Sequence, residues 1–153
     1  MRGTPDLFAK ELKGAVGFTG SRTGITVAQA SELLDLLAQL PAGTWFHHGD
    51  CRGADAQAHE IAQAQSLKIS VHPPINRGAR AFTTGDFTHP EAPYMRRNSE
   101  IVAATSWLIA TPNGYDEVAR GSGTWATIRE AKRLGKKVTI IFPNGVKETF
   151  DGF

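Results

Sequence analysis

The segment ARGSGTWATIREAKRLGKKVTIIFP, from Ala119 to Pro143, decides the class of fold. It opens with small, flexible residues around Gly121, continues with a helical pattern over residues 124–134, and ends in an apolar, strand-like run. Gly135 is a typical helix terminator between the two patterns. A glycine-rich turn that leads into a helix and back to an apolar strand is typical of α/β proteins. There, backbone amides at the start of the helix can approach an anion.

The same alternation of apolar runs and helical patterns extends along the chain. Strands are predicted at residues 15–20, 44–48, 68–74, 106–112 and 136–143, and helices at 26–40, 54–66, 94–104 and 124–134. The strands are short and continuously apolar, as expected when helices cover both faces of a sheet. We therefore predict an α/β fold with a doubly wound, parallel, five-stranded sheet and helices on both faces. A long loop at residues 75–93 is expected to be functional or mobile.

Composition limits the class of protein. The 153 residues suit a single domain spanning 1–153, with a short N-terminal arm at 1–13. The net charge of +2 gives little support for nucleic-acid binding. The single cysteine, Cys51, fits a reducing compartment. The N-terminus lacks the apolar core of a secretory signal, and a cytoplasmic location is expected.

Arginines and glycines concentrate where the predicted strands end. Seven of the ten arginines lie in these loops or at the start of the following helix, and none of the seven lysines does. Arginine presents a planar fork that suits phosphate, and helix N-termini favour anions. We therefore expect an anion site at the carboxyl edge of the sheet. The expected ligand-binding residues in these loops are Gly20, Ser21, Arg22, Gly49, Arg52, Gly53, Gly121, Ser122, Gly123 and Thr124.

Several carboxylates and histidines are candidates for chemistry. Asp50 follows the second strand directly and is the best placed, although it could instead hydrogen-bond to its own loop. Asp55 lies in the first turn of a helix, where a carboxylate suits the helix dipole. His47 and His48 are adjacent in a strand and point to opposite faces, so at most one can reach the site. A zinc site formed by these histidines and Cys51 is not expected, and no metal or cofactor is predicted.

Four stretches carry a family resemblance: GFTGSRTGIT (17–26), HHGDCRGADAQAHEIA (47–62), MRRNSEIV (95–102) and the segment from Gly121 to Pro143. Together they resemble the SLOG superfamily, which includes the Lonely Guy phosphoribohydrolases and DprA-like proteins. The closest likeness is to its small stand-alone members. The resemblance covers nearly the whole chain and implies a Rossmann-like fold whose glycine loops hold nucleotides or nucleotide-derived ligands.

The resemblance also implies roles for particular residues. Arg97, in the RRN of residues 96–98, matches the working arginine of Lonely Guy enzymes, and Asn98 beside it is expected to contact the ligand. Residues 121–124 match their glycine motif. The glutamate that should follow the motif is absent, because Ala126 and Thr127 occupy its positions and Glu130 lies about one turn further on. The helix dipole disfavours a cation at the position of Arg97, so we expect its side chain to contact the phosphate or sugar of the ligand. The resemblance implies that Arg97 is catalytic, and we expect Asp50 to act with it because it directly follows the second strand.

These observations lead to one expected function and two alternatives. The chain is expected to bind a nucleotide or nucleotide-derived ligand and to hydrolyse its N-glycosidic bond, as a nucleoside-monophosphate N-glycosidase would. The first alternative is a nucleotide sensor or carrier without turnover. The second is DprA-like binding of single-stranded DNA, for which the net charge gives little support. A homo-oligomer, dimer or tetramer, is also expected.

Overall fold

The computed structural model describes residues 14–152. The N-terminal arm predicted at residues 1–13 lies outside this range. In chain order the elements are β1 (Val16–Gly20), α1 (Val27–Ala38), β2 (Trp45–His48), α2 (Ala54–Ala64), β3 (Lys68–Val71), a short 3₁₀ turn (Arg77–Ala79), β4 (Phe87–Thr88), α3 (Tyr94–Ala104), β5 (Trp107–Thr111), α4 (Gly123–Arg133), β6 (Lys137–Ile141) and β7 (Lys147–Phe150).

These strands form one sheet in the order β4-β3-β2-β1-β5-β6-β7. All pairs are parallel except β6 with β7, which is antiparallel. The α/β, Rossmann-like architecture is therefore confirmed, but the prediction of five strands is wrong, because the sheet has seven. The two extra strands are exposed edge strands, so the apolar signal that identified the other five is missing from them.

Helices cover both faces of the sheet. On one face α1 and α2 bury Phe18, Phe46 and Ile109 in an apolar core. On the other face α3 and α4 bury Leu108, Trp125 and Ile128 in a second core. Adjacent strand residues point to opposite faces, which explains why the central strands are apolar throughout.

Local sequence signals fix the ends of the helices. Thr26 and Gln29 form the capping box that starts α1, as the sequence predicts. Ser122 caps α4 by accepting a hydrogen bond from the Trp125 amide, and Gly135 follows its end with a positive φ of 73°. Each helix therefore begins at the carboxyl edge of the sheet, where the strands end.

The predicted loop at 75–93 is partly ordered by the sheet. It contains the 3₁₀ turn and β4, and isolated bridges join Cys51 to Arg80 and Pro74 to Ala92. No helix within residues 14–152 has both the length and the apolar character of a membrane span. Of the apolar side chains on α3, Met95 is exposed, whereas Ile101 and Val102 are buried in the fold. Self-association stays a prediction.

Candidate functional site

The sheet reverses its order between β1 and β5. From β1 the chain first builds outward through β2 and β3, then returns to add β5 and β6 on the other side. The loops that leave β1 and β5 therefore diverge and open a crevice, as in other doubly wound sheets. A cavity of about 430 Å³ lies there. Its lining includes most of the predicted ligand-binding residues: Gly20, Ser21, Arg22, Gly49, Arg97, Asn98, Gly121, Ser122, Gly123 and Thr124.

The N-terminus of α4 forms one wall of this cavity. Gly121 has a φ of 80°, in the region that favours glycine, and it turns the chain into the helix. The amides of Gly123 and Thr124 have no acceptor among the described residues, whereas the next two amides bond to Ser122. Two backbone donors at the positive end of a helix dipole thus border the cavity.

Arg97 is buried, with 6% of its surface exposed. Its Nη1 donates to the carbonyl oxygen of Gly49 and to that of His72 at 3.3 Å, and its Nε donates to Asn98 Oδ1 at 2.7 Å. A Cβ at residue 49 would lie 2.5 Å from Nη1, so the glycine leaves room for the guanidinium. Among the described residues Arg97 pairs with no carboxylate, and its Nη2 has only the Cys51 sulfur at 3.8 Å. A buried cation with unused donors therefore faces the cavity.

Tyr94 adds an aromatic surface that the sequence did not assign to the site. The Arg22 guanidinium lies 4.3 Å from the centre of its ring, and that of Arg97 lies 5.6 Å away. Its hydroxyl is buried without a hydrogen-bond partner within residues 14–152. The signal for this role is its place at the first residue of α3, where a helix meets the carboxyl edge.

Asp55 is the one carboxylate in the lining of this cavity as the structure describes it. It lies in the first turn of α2 and accepts a hydrogen bond from the Cys51 amide at 3.1 Å. Burial raises its pKa to about 6, and the nearby Arg97 cation opposes that rise only in part. Burial, with the Asp55 charge, also raises the pKa of the Cys51 thiol, so this cysteine is protonated at neutral pH.

Three residues expected at the site do not line the cavity. The Asp50 carboxylate is fully buried and accepts bonds from Arg80 Nε at 2.8 Å and from the Thr83 amide at 2.9 Å. Arg52 is exposed, and Gly53 is the N-cap of α2. These hydrogen bonds join Asp50 to the loop at residues 75–93, and not to its own loop as the alternative interpretation predicts. Its catalytic role stays a prediction.

The histidines of β2 also lie outside the cavity and point to opposite faces, as predicted. His47 Nδ1 lies 2.8 Å from His72 Nε2, and His48 Nε2 lies 2.9 Å from His59 Nδ1. Burial lowers the pKa of His47 to about 4, that of His48 to about 3 and that of His72 to about 2. All three rings are therefore neutral at physiological pH.

The absence of the Lonely Guy glutamate is not compensated by Glu130. Its carboxylate accepts from Ser99 Oγ and borders a groove between α3 and α4 that adjoins the cavity and shares Tyr94, Asn98 and residues 121–123 with it. Glu130 itself does not line the cavity. Trp125, which follows the glycine motif, packs into the core instead of facing the cavity. The carboxylate available to a ligand in the described cavity therefore comes from α2.

Comparison with known proteins supports the fold. The structure resembles DNA processing protein A (DprA) from Streptococcus pneumoniae, with a TM-score of 0.62 and 18% sequence identity. The match covers 90% of this chain and 52% of the DprA chain. The likeness shows a shared Rossmann-like α/β fold.

A second solved structure has the same type of fold. The protein TM1055 matches with a TM-score of 0.57 and 16% identity over 83% of this chain and 72% of its own. This chain spans about half the length of the DprA chain. No family model and no curated protein sequence matches this chain.

Proposed function

We propose that this SLOG-like domain binds a nucleotide or nucleotide-derived ligand in the cavity between β1 and β5. The observation that carries the proposal is the pair of unpaired amides, Gly123 and Thr124, at the positive end of α4. A phosphate there would accept both hydrogen bonds and interact favourably with the helix dipole. Asn98 lies beside this helix end, so its amide group is within reach of the same anion.

The charge and size of the cavity support the same ligand class. Two arginines, Arg22 and Arg97, line it against the single carboxylate of Asp55. The volume of about 430 Å³ is in the range of small-ligand sites. Tyr94 and its stacked Arg22 offer a flat surface suited to a base or sugar. A nucleoside monophosphate combines an anion, which the arginines would bind, with a flat aromatic base, which Tyr94 would contact.

Calorimetric titration with a panel of nucleoside monophosphates and their parent nucleosides tests the proposal. We expect at least one nucleotide to bind in a 1:1 complex, roughly 10- to 100-fold more tightly than its nucleoside, because charge-assisted hydrogen bonds contribute about 1.5–3 kcal/mol each. Equal affinities for the two would contradict a phosphate site. Single-stranded DNA that binds more tightly than every mononucleotide would favour the DNA-binding alternative.

Asp55 supports hydrolysis as a second candidate function of the same site. Cleavage of an N-glycosidic bond forms a C1′–O bond to water and breaks the C1′–N bond, giving free base and ribose 5-phosphate. The oxocarbenium-like transition state is stabilised by a nearby carboxylate, which can also take the proton of the attacking water. With a pKa of about 6, Asp55 is mainly ionised at neutral pH and is a basic carboxylate for these roles.

Replacing Asp55 with asparagine separates binding from turnover. We expect the D55N protein to bind the nucleotide at least as tightly as the wild type, because a negative charge leaves the cavity. We expect the release of free base to fall by roughly 100-fold or more, the usual effect of losing a general base. Chromatography of the released base measures this rate. Wild-type protein that binds nucleotide and releases no base would instead favour a sensor or carrier.

A further inference from the structure

Three histidines from separate strand ends meet on the face of the sheet that carries α3. His47 belongs to β2, and His72 and His89 each follow the last residue of β3 and β4. One ring nitrogen from each lies within 4.8 Å of the others. The rings of His72 and His89 are stacked with centres 3.8 Å apart, and His47 Nδ1 lies 2.8 Å from His72 Nε2. We call this group the histidine cluster.

The hydrogen bonds inside the histidine cluster leave polar atoms unused. His47 Nε2 and His72 Nδ1 are buried and have no hydrogen-bond partner among the described residues. Buried polar atoms are normally satisfied, so each unpaired one needs an explanation. Two imidazoles that share one hydrogen bond use a single lone pair of the cluster. A cation bound between His47 Nδ1 and His72 Nε2 would use a lone pair from each ring, and each ring's proton would then lie on its unpaired nitrogen.

The residues around the histidine cluster resemble the hydrogen-bond partners that support metal-bound histidines. Ser70 Oγ lies 2.7 Å from His89 Nε2 and fixes the orientation of that ring. Glu100 Oε1 lies 3.8 Å from His72 Nδ1, where it can balance positive charge. Such hydroxyl and carboxylate partners are the usual supports of metal-bound histidines. A cavity of about 880 Å³ opens beside the cluster, leaving room for a water or ligand.

We propose that the histidine cluster binds one divalent transition-metal ion of the zinc class. Three imidazole nitrogens with an open fourth position form a common zinc coordination, and imidazole also suits cobalt, nickel and copper. Metal–nitrogen bonds of about 2.0–2.1 Å place the nitrogens roughly 3.3 Å apart, so His47 Nδ1 and His72 Nε2 need to separate by about half an ångström. The His89 ring, which is stacked on His72, also has to tilt so that its nitrogen points at the same ion. The described lining of this cavity shares no residue with that of the nucleotide cavity, so the two sites are distinct.

The test is titration of the metal-free full-length protein with Co²⁺, followed by visible absorption, with Zn²⁺ as competitor. We expect one ion per chain and the intense absorption of a low-coordinate, nitrogen-ligated Co²⁺, which Zn²⁺ abolishes. Replacing His89 with alanine removes a ligand on the more open side of the cluster. It should weaken binding by more than the roughly 10- to 100-fold that the loss of an outer partner costs.

His59→Ala is the matched control, because it removes a histidine of the pair on the opposite face and should leave Co²⁺ affinity unchanged. Affinity unchanged in H89A, or lost equally in H59A, would overturn the proposal. The spectrum of the wild-type protein tests nitrogen ligation of Co²⁺ directly, whether or not the variants fold. A weak, octahedral, oxygen-ligated spectrum, or no binding at millimolar Co²⁺, would also overturn it.

Discussion

Replacing Gly123 with aspartate is expected to weaken nucleotide binding by roughly 100-fold or more. The nearest atom to a Cβ at this position is Asn98 Nδ2 at 3.7 Å, so the new side chain fits and enters the cavity. Its carboxylate would lie beside the position that we propose for the phosphate. Two like charges about 5 Å apart repel by about 3 kcal/mol at the effective dielectric of a protein surface, which corresponds to about 100-fold in affinity.

The same substitution should leave the fold intact. An acidic residue at the first position of a helix interacts favourably with the dipole, so the melting temperature should stay level or rise. Gly114→Asp is the matched control, because it adds the same charge after β5 in open space and outside the cavity lining. Calorimetric titration of both variants measures the effect. Equal loss of affinity in the two proteins would show that net charge, and not the α4 site, controls binding.

Acidification is expected to destabilise the protein strongly between pH 7 and pH 5. The pKa values of His47, His48 and His72 are about 4, 3 and 2 in the folded state, against about 6.5 in the unfolded chain. Below pH 6.5 the unfolded chain therefore binds protons that the folded chain does not. The free energy of unfolding falls as the pH falls, by up to about 1.4 kcal/mol per unit for each histidine.

Asp55 acts in the opposite direction. Its folded pKa of about 6 exceeds the ordinary value of 3.8, so below pH 6 the folded state gains protons and stability. Three histidines against one aspartate leave a net loss of roughly 4 kcal/mol from pH 7 to pH 5. Urea unfolding at the two pH values, with EDTA present to remove metal ions, measures the change. An unfolding free energy that is equal or higher at pH 5 would contradict neutral buried histidines.

The central part of the fold follows from the sequence. The helix α3 begins and ends at the predicted residues, 94 and 104, and the capping box of α1 is formed. The predicted first and fourth strands, β1 and β5, are neighbours, as a doubly wound sheet requires. These elements have strong local signals, because buried strands are apolar throughout and helix starts carry capping residues.

The edge strands have weaker signals. β4 has two exposed residues, and the Asp86 carboxylate just before it accepts from the Ile69 amide of β3 at 2.8 Å. No pattern in a two-residue strand predicts this long-range contact. β7 had a usable signal, because Asn144 and Gly145 form the turn that folds it back on β6. Asn-Gly is a strong hairpin dipeptide, so these two residues indicate an antiparallel strand after β6.

The location of the candidate site could be predicted from its loops, but the environment of its charged side chains could not. Glycine and arginine after each strand indicate the edge where β1 and β5 end, because parallel strands place their carboxyl ends together. The environment of Asp55 was not predictable, because a carboxylate in a first helical turn suits the dipole whether it is buried or exposed. The histidine cluster joins residues from three strand ends, so no short spacing in the sequence identifies it.

The location of a bound phosphate tests the central claim most directly. A crystal structure of the protein with the tightest-binding nucleotide of the panel provides this measurement. We predict that the phosphate accepts hydrogen bonds from the amides of Gly123 and Thr124, with Arg22 or Arg97 beside it. A phosphate bound elsewhere on the surface, with the α4 N-terminus unengaged, would contradict the account.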